Sequence, residues 1–424
     1  MGAMKPSGAT PPELSVAPGL RWDVLAPTRD RLWLVLGGWA GVSLISAATM
    51  IAMALMGASG IMVGGDFVVF HVAAKGAAAG DAAALYEAGA FQAQLNAAFP
   101  GRNDLGLTWQ YPPTYLLAIA LFAGLPYLAG YALFSGASAG AFAFLLRKQV
   151  SDDLVFFAII ASPAAFIALT TGQNGFLFAA LLILAARNTK TQPIIAGVAA
   201  GVITMKPHLG LLIPVAYLAA GCWRAAFVAA ATALTLGAIS LIAYGAAPWF
   251  AFLDAVFEVS GQVGAAMMPL AKMTTPYSAA LFAGLSPIAA AAIHLVLALS
   301  AAAFVWRVWR KCADAELRAS ALIACVFLAA PYGFYYELIV LGFPVAIIVM
   351  RALKTGWLKH ERSLTAAAWI LSASVPFFAD FRFGVSAGFL AMLCAVALVL
   401  RRAHAASPSL FPWPAPTANA RAGA

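Results

Sequence analysis

Three ionisable residues stand where an apolar chain has least reason to keep a charge. Asp66 sits in "GGDFVVFH" just past a long apolar run, Lys206 in "MKPHLG" at the end of another, and Glu337 in "PYGFYYE" at the start of a third. Charges beside hydrocarbon are costly, which makes them functional candidates. A carboxylate can take the proton of a hydroxyl, a general-base step worth about 10²–10⁴-fold in rate, and a lysine can hold a phosphate. That combination suits transfer from a donor that is itself lipid-linked. Its tail would lie among apolar helices, its phosphate would meet a cation, and the carboxylate would activate an acceptor hydroxyl from outside. Charge stabilisation at the departing phosphate would supply much of the remaining acceleration.

Other polar residues fall on the same expected side. They are Gln110 and Tyr111 in "WQYPP", Gln173 and Asn174 in "TGQNG", His208 beside Lys206, Tyr336 beside Glu337, Lys272, His71 with Lys75, and Asp380 with Arg382. Each has a plainer structural reading. Asp66 follows Gly64 and Gly65 and can serve as the N-cap of a helix over 67–80. His71 and Lys75 are four apart and share one face of that helix, with Asp66 well off it. An amphipathic helix on the lipid surface, Lys75 touching lipid phosphates, explains both. Snorkelling explains Lys206, helix bridging explains Gln173 and Asn174, and an interfacial aromatic belt explains Trp109, Tyr111 and Tyr115. Residue types alone leave both sets of readings open.

The elements that must position these groups are apolar helices. Of 424 residues, 63% are hydrophobic and 10% charged, against about 25% charged in an ordinary soluble domain. Runs near twenty apolar residues recur from Leu32 to Leu400, and no alternating short segments suggest a membrane β-barrel. The expected fold is all-α, a polytopic integral membrane protein with about twelve transmembrane helices. Expected spans lie near 32–57, 113–146, 153–170, 174–187, 192–206, 208–222, 225–245, 286–309, 317–333, 337–351, 364–379 and 383–401. The block 113–146 is too long for one straight crossing, and "FAGLPY" at Phe122–Tyr127 predicts a broken helix making one net crossing. A membrane domain over 31–403 would carry a long first outer loop (58–112) with amphipathic helices and a second large one (246–285). Residues 1–30 and 404–424 read as disordered cytoplasmic tails, with no cleavable signal peptide.

With the N-terminus inside, seventeen of the 25 basic residues fall at inner junctions, while Lys75, Arg102, Lys206, Lys272 and Arg382 fall outside. That asymmetry is what the positive-inside rule expects. The net charge of +9 is therefore a topology and anionic-lipid signal, and no nucleic-acid partner is expected. Cys222, Cys312, Cys325 and Cys394 lack ligand spacing, so neither a disulfide nor a zinc site is expected. No GxGxxG after a strand, P-loop, HExxH or GxSxG occurs, which leaves a soluble nucleotide donor, an ATP motor and a zinc hydrolase unsupported. A transporter or flippase remains the competing class. It would call for an inverted repeat and midplane acids. A non-catalytic scaffold would leave the polar convergence unexplained.

"DFVVFHVAAKGAAAGDAAALYEAGAF", "WQYPPTYLL", "GQNGFLFAALL", "AGVAAGVITMKPHLGLLIP" and "APYGFYYELIV" resemble, in order, blocks of glycosyltransferase family 87, over roughly Asp66 to Val340. The resemblance implies a GT-C type membrane enzyme, a polyprenyl-phosphate-sugar-dependent hexosyltransferase, with mannose the implied sugar. It implies inversion and no metal or other cofactor. The implied partners are membrane lipids, a polyprenyl-phosphate-sugar donor and a glycolipid or glycan acceptor, with the site on the periplasmic side of a bacterial inner membrane and both termini cytoplasmic. Carried over, it makes Asp66 the base and places Lys206 by the donor phosphate with His208 nearby. Gln173 and Asn174 match the family's "GQN". The remaining expected substrate contacts are Gln110, Tyr111, His71, Lys75, Tyr336 and Glu337. The chain departs from the family where His71 replaces a common tyrosine, and where Phe334 and Tyr336 take the places of a Trp-x-His pattern.

Overall fold

A computed structural model describes residues 28–56, 63–100, 107–264, 270–372 and 386–412. The expected Asp380–Arg382 pair and Arg102 lie outside these residues, as do 1–27 and 413–424 of the expected tails. Among the described residues the chain is helical, with no strand and one isolated bridge, Met273 to Phe334.

Among the described residues, six helices are long and apolar enough to cross a membrane: Arg29–Met53, Tyr127–Arg147, Trp223–Tyr244, Pro287–Lys311, Tyr335–Thr355 and Ala387–Ala406. They leave large apolar side chains uncovered, Ile242 at 85% and Ile288 at 84% exposure among them. Hydrocarbon is the solvent that suits such faces. Shorter apolar helices include Pro113–Phe122, Gly175–Arg187, Pro193–Ile203 and Pro207–Ala220. The expected span 153–170 is two helices, Asp153–Ile160 and Pro163–Thr171, bent by 40°. Ala161 ends the first and Ser162 caps the second, its hydroxyl accepting from the Ala165 N–H at 3.2 Å, with Pro163 at the first helical position. The block 113–146 is also broken, between Phe122 and Tyr127.

Small residues set the closest helix approach. Gly197 and Gly201 of Pro193–Ile203 face Val228 and Thr232 of Trp223–Tyr244, where an added Cβ would lie 2.5 and 2.4 Å from their Cβ atoms. This four-residue spacing of glycines lets two backbones pack directly.

The expected first outer loop does not hold the expected surface helix. Phe67–Ala78 is buried on every side, with only Lys75 and Ala78 left outside the buried set. Phe67 and Phe70 are the cause. Their rings meet Phe122, Tyr127, Tyr131, Phe134, Trp109 and Tyr115 at centroid distances of 5.4–6.5 Å, an aromatic cluster that pulls the helix into the bundle. The C-terminal segment also packs further than expected: the last helix runs to Ala406, Leu410 is fully buried, and the Phe411 ring stacks on Phe304 at 6.1 Å.

Candidate active site

The plain reading of Asp66 was a helix cap. Asp66 does occupy the N-cap position of Phe67–Ala78, but its backbone is helical (φ −82°, ψ −17°) and its side chain makes no capping hydrogen bond. The carboxylate turns instead to Gln173, whose Nε2 donates to Oδ2 at 3.3 Å. Two backbone features bring these residues together. The Asp66 N–H donates to the Thr171 carbonyl at 2.9 Å. Gly172 then ends Pro163–Thr171 in the left-handed region (φ 69°), where a Cβ would come within 2.8 Å of the Phe67 Cβ.

Lys206 lies where helix Pro193–Ile203 stops. Pro207 opens a short 3-10 helix, and the Lys206 backbone between the two is neither helical nor extended (φ −140°, ψ 73°). The residue is buried, at 4% exposure. The ammonium donates to Asn174 Oδ1 at 2.9 Å and forms an ion pair with Glu337. The rings of Tyr111, Phe178 and Tyr336 stand 5.5, 5.7 and 5.6 Å from it. The other oxygen of Glu337 accepts the Phe334 N–H at 2.7 Å and closes the start of the 3-10 helix Tyr335–Leu341. Gly175 packs directly on that helix: a Cβ there would lie 2.4 Å from the Tyr336 carbonyl oxygen.

Asn174 and Gln173 link the two centres. Asn174 Nδ2 donates to Tyr111 Oη at 3.0 Å and to Tyr115 Oη at 3.1 Å, and Tyr111 Oη donates to Gln173 Oε1 at 3.3 Å. The opposite end of Gln173 holds Asp66. Burial raises the Asp66 carboxyl above the ordinary aspartate range, while the Gln173 hydrogen bond and the charge of Lys272 pull it back. Burial also holds the Tyr111 phenol well above its ordinary value, with the Glu337 charge adding to the effect, so it stays a donor.

These groups face a cavity of about 430 Å³. It gathers Asp66 from the first loop, Gln110 and Tyr111 ahead of Pro113–Phe122, Gln173 between two helices, Lys206 and His208, and Tyr336 with Glu337. Asn174 lies behind this wall, fully buried. His208 is 5% exposed, its ring lies tilted against Tyr332 with centroids 4.1 Å apart, and neither ring nitrogen has a hydrogen-bond partner among the described residues. Gln110 donates to Thr108 Oγ1 at 2.8 Å. His71 and Lys75 do not line the cavity. His71 is buried against Tyr127 and Phe99, with burial and then Lys75 lowering its pKa, and Lys75 is exposed. Lys272 does line it, although its residue type on the outer side was the sole sequence signal and suggested no role.

A second, apolar cavity of about 450 Å³ adjoins the first. Pro112, Pro207 and Phe252 border both, and Thr204, Leu234, Gly237 and Trp249 continue the apolar one along Trp223–Tyr244.

Comparison with curated protein sequences and with solved structures returns no match. The sequence profile of Glycosyltransferase family 87 matches residues 109–331, more than half the chain. That stretch holds Gln110, Tyr111, Gln173, Asn174, Lys206, His208 and Lys272, while Asp66, Tyr336 and Glu337 complete the same cavity from either side of it. The extent of that match shows the family: the chain belongs to glycosyltransferase family 87.

Proposed function

We propose that this chain is an inverting membrane glycosyltransferase of GT-C type that moves a sugar, mannose by resemblance, from a polyprenyl-phosphate donor to a hydroxyl of a lipid-linked or envelope glycan acceptor. The observation that carries the reading is the contact between a polar cavity and an apolar one through Pro112, Pro207 and Phe252. One ligand with a charged head and a hydrocarbon tail fits that pair. A water-soluble donor has no use for the apolar half.

Asp66 is the base in this reading. It takes the acceptor's hydroxyl proton as the acceptor oxygen attacks the anomeric carbon. The bond from that carbon to the phosphate oxygen breaks, and the polyprenyl phosphate leaves with the electron pair. Attack opposite the leaving group turns a β-linked donor into an α-glycoside. The raised Asp66 pKa suits this task, because a base works best with a pKa closer to the working pH. The lysine side of the cavity, with His208, receives the phosphate, and no metal ion is part of the proposal. The active face is periplasmic and both termini are cytoplasmic.

The test supplies purified protein with defined polyprenyl-phosphate sugars and a membrane lipid extract, and identifies the product by mass spectrometry. Asp66→Asn and Asp66→Ala are expected to insert and fold normally and to lose about 10²–10⁴-fold of transfer. Full activity in Asp66→Ala removes the base assignment. Substrate flux through proteoliposomes without any glycosylated product replaces the enzyme reading by a transporter.

A further inference from the structure

We propose that Lys272, and not Lys206, is the cation that holds the donor phosphate, and that Lys206 with Glu337 is a positioning pair. This rests on the glycosyl-transfer reading above and assigns one of its parts.

The charges around the cavity decide between the two lysines. Among the described residues, two carboxylates, Asp66 and Glu337, and two ammonium groups, Lys206 and Lys272, line it. Lys206 is buried and already paired with Glu337, with Asn174 as a further acceptor. An entering phosphate would have to compete with a carboxylate in direct contact. Lys272 is exposed, and no carboxylate lies within ion-pair distance of it among the described residues. Without Lys272 the remaining three charges sum to one negative, which repels an anionic donor. With it the cavity is balanced and carries one uncommitted cation.

Lys272 is also held in place. It closes the 3-10 helix Leu270–Lys272, and the next residue, Met273, forms the antiparallel bridge to Phe334. The Thr274 N–H donates to the Gly333 carbonyl at 2.9 Å, and the Met273 carbonyl accepts from Ser386 Oγ at 2.8 Å. Leu270 and Met273 pack with Tyr332 and Phe334. The backbone beside Lys272 is thus pinned to the segment that leads into Glu337. The charge of Lys272 reaches Asp66 across the cavity, so its ammonium and the base act on one space.

The chemistry rewards a free cation there. The donor is a phosphodiester with one negative charge. When the bond from the sugar to phosphate breaks, the leaving polyprenyl monophosphate takes the electron pair and a second negative charge develops. A cation on that oxygen binds the transition state and the leaving group more strongly than the donor, which is the condition for catalysis.

The experiment compares wild type, Lys272→Gln, Lys272→Arg and Lys206→Gln in nanodiscs of zwitterionic lipid. It measures the dissociation constant of polyprenyl monophosphate, the KM and kcat for polyprenyl-phosphate mannose, and the melting temperature. Lys272→Gln is expected to weaken polyprenyl monophosphate by about tenfold or more, the scale of one hydrogen bond to a charged group, at unchanged melting temperature. Lys272→Arg is expected to recover most of that loss. Lys206→Gln is expected to lower the melting temperature. If wild type binds the monophosphate and Lys272→Gln binds it equally well, the assignment of Lys272 is overturned and the lipid-phosphate reading stands. If wild type binds no polyprenyl phosphate and transfers no sugar from it, both fall.

Discussion

Lys206 and Asp66 are joined by four consecutive hydrogen bonds that all donate toward Asp66: Lys206 to Asn174, Asn174 to Tyr111, Tyr111 to Gln173, and Gln173 to the carboxylate. The direction is fixed by the ends. An ammonium can only donate, so Asn174 must present its oxygen to Lys206 and its nitrogen to Tyr111. An ionised carboxylate can only accept, so Gln173 must present its nitrogen to Asp66 and its oxygen to Tyr111. Buried chains of this kind polarise one another, and here the polarity favours negative charge at Asp66.

Tyr111→Phe tests the chain at its middle. It keeps the ring that stacks on Tyr115 at 4.5 Å and removes the hydroxyl that both amides use. The expected result is a fall in kcat of about tenfold, the scale of one lost buried hydrogen bond, with the KM for donor little changed. A wild-type kcat in Tyr111→Phe would show that the chain does not act on Asp66.

The pH dependence follows from Asp66. It must be ionised to act as a base, and burial raises its pKa, so transfer should be lost on acidification at a pH above the ordinary aspartate value of about 3.9. The Gln173 hydrogen bond and the Lys272 charge both favour the ionised form. Gln173→Leu and Lys272→Gln should therefore each move the acid limb of kcat/KM to higher pH. A limb that moves to lower pH in either variant contradicts the sign. For stability the raised carboxyl works the other way. Its contribution is fully present below the unfolded-state pKa and is lost as pH rises through the folded one.

The Lys206–Glu337 pair predicts a non-additive stability result. Both side chains are almost fully buried, at 5% and 1% exposure. Removing one partner leaves the other charge without compensation, a loss of about 3–5 kcal/mol in buried pairs. Lys206→Met and Glu337→Gln should each lower the melting temperature in detergent sharply. The double variant should lie well above the sum of the two losses, because no charge is then stranded. Additive losses would mean that the two side chains do not act as a pair.

The charged centres were legible in the sequence because a carboxylate or lysine in an apolar chain is rare enough to count. Their connection was not. Gln173 reaches Asp66 only because Gly172 ends a helix against Phe67, and Asn174 reaches Lys206 only because Pro207 ends another. His71 and Lys75 share a face by spacing, but aromatic packing buried the helix and left both off the cavity. Lys272 owes its place to a bridge between residues far apart in the chain, which no local periodicity announces. The long apolar runs were legible as helices, yet the bend within 153–170 followed a signal already present, a serine N-cap with proline after it.

Reporter fusions test the side on which all of this lies. Pro113–Phe122 has 10 residues, a rise of about 15 Å, which is half of a hydrocarbon core of about 30 Å. Tyr127–Arg147, with 21 residues, reaches across such a core on its own. On these lengths the broken block is expected to make one net crossing, which puts Arg147 and Lys148 inside and keeps the inner bias of the basic residues. Fusions after Ala97 and after Gly284 should report the outer side, and a fusion after Asn188 the inner side. Two crossings by the broken block would instead leave Ala97 outside and place Asn188 outside as well. That outcome would invert the segments that follow and put Lys206 and Lys272 on the opposite face from Asp66, which the single cavity they share does not permit.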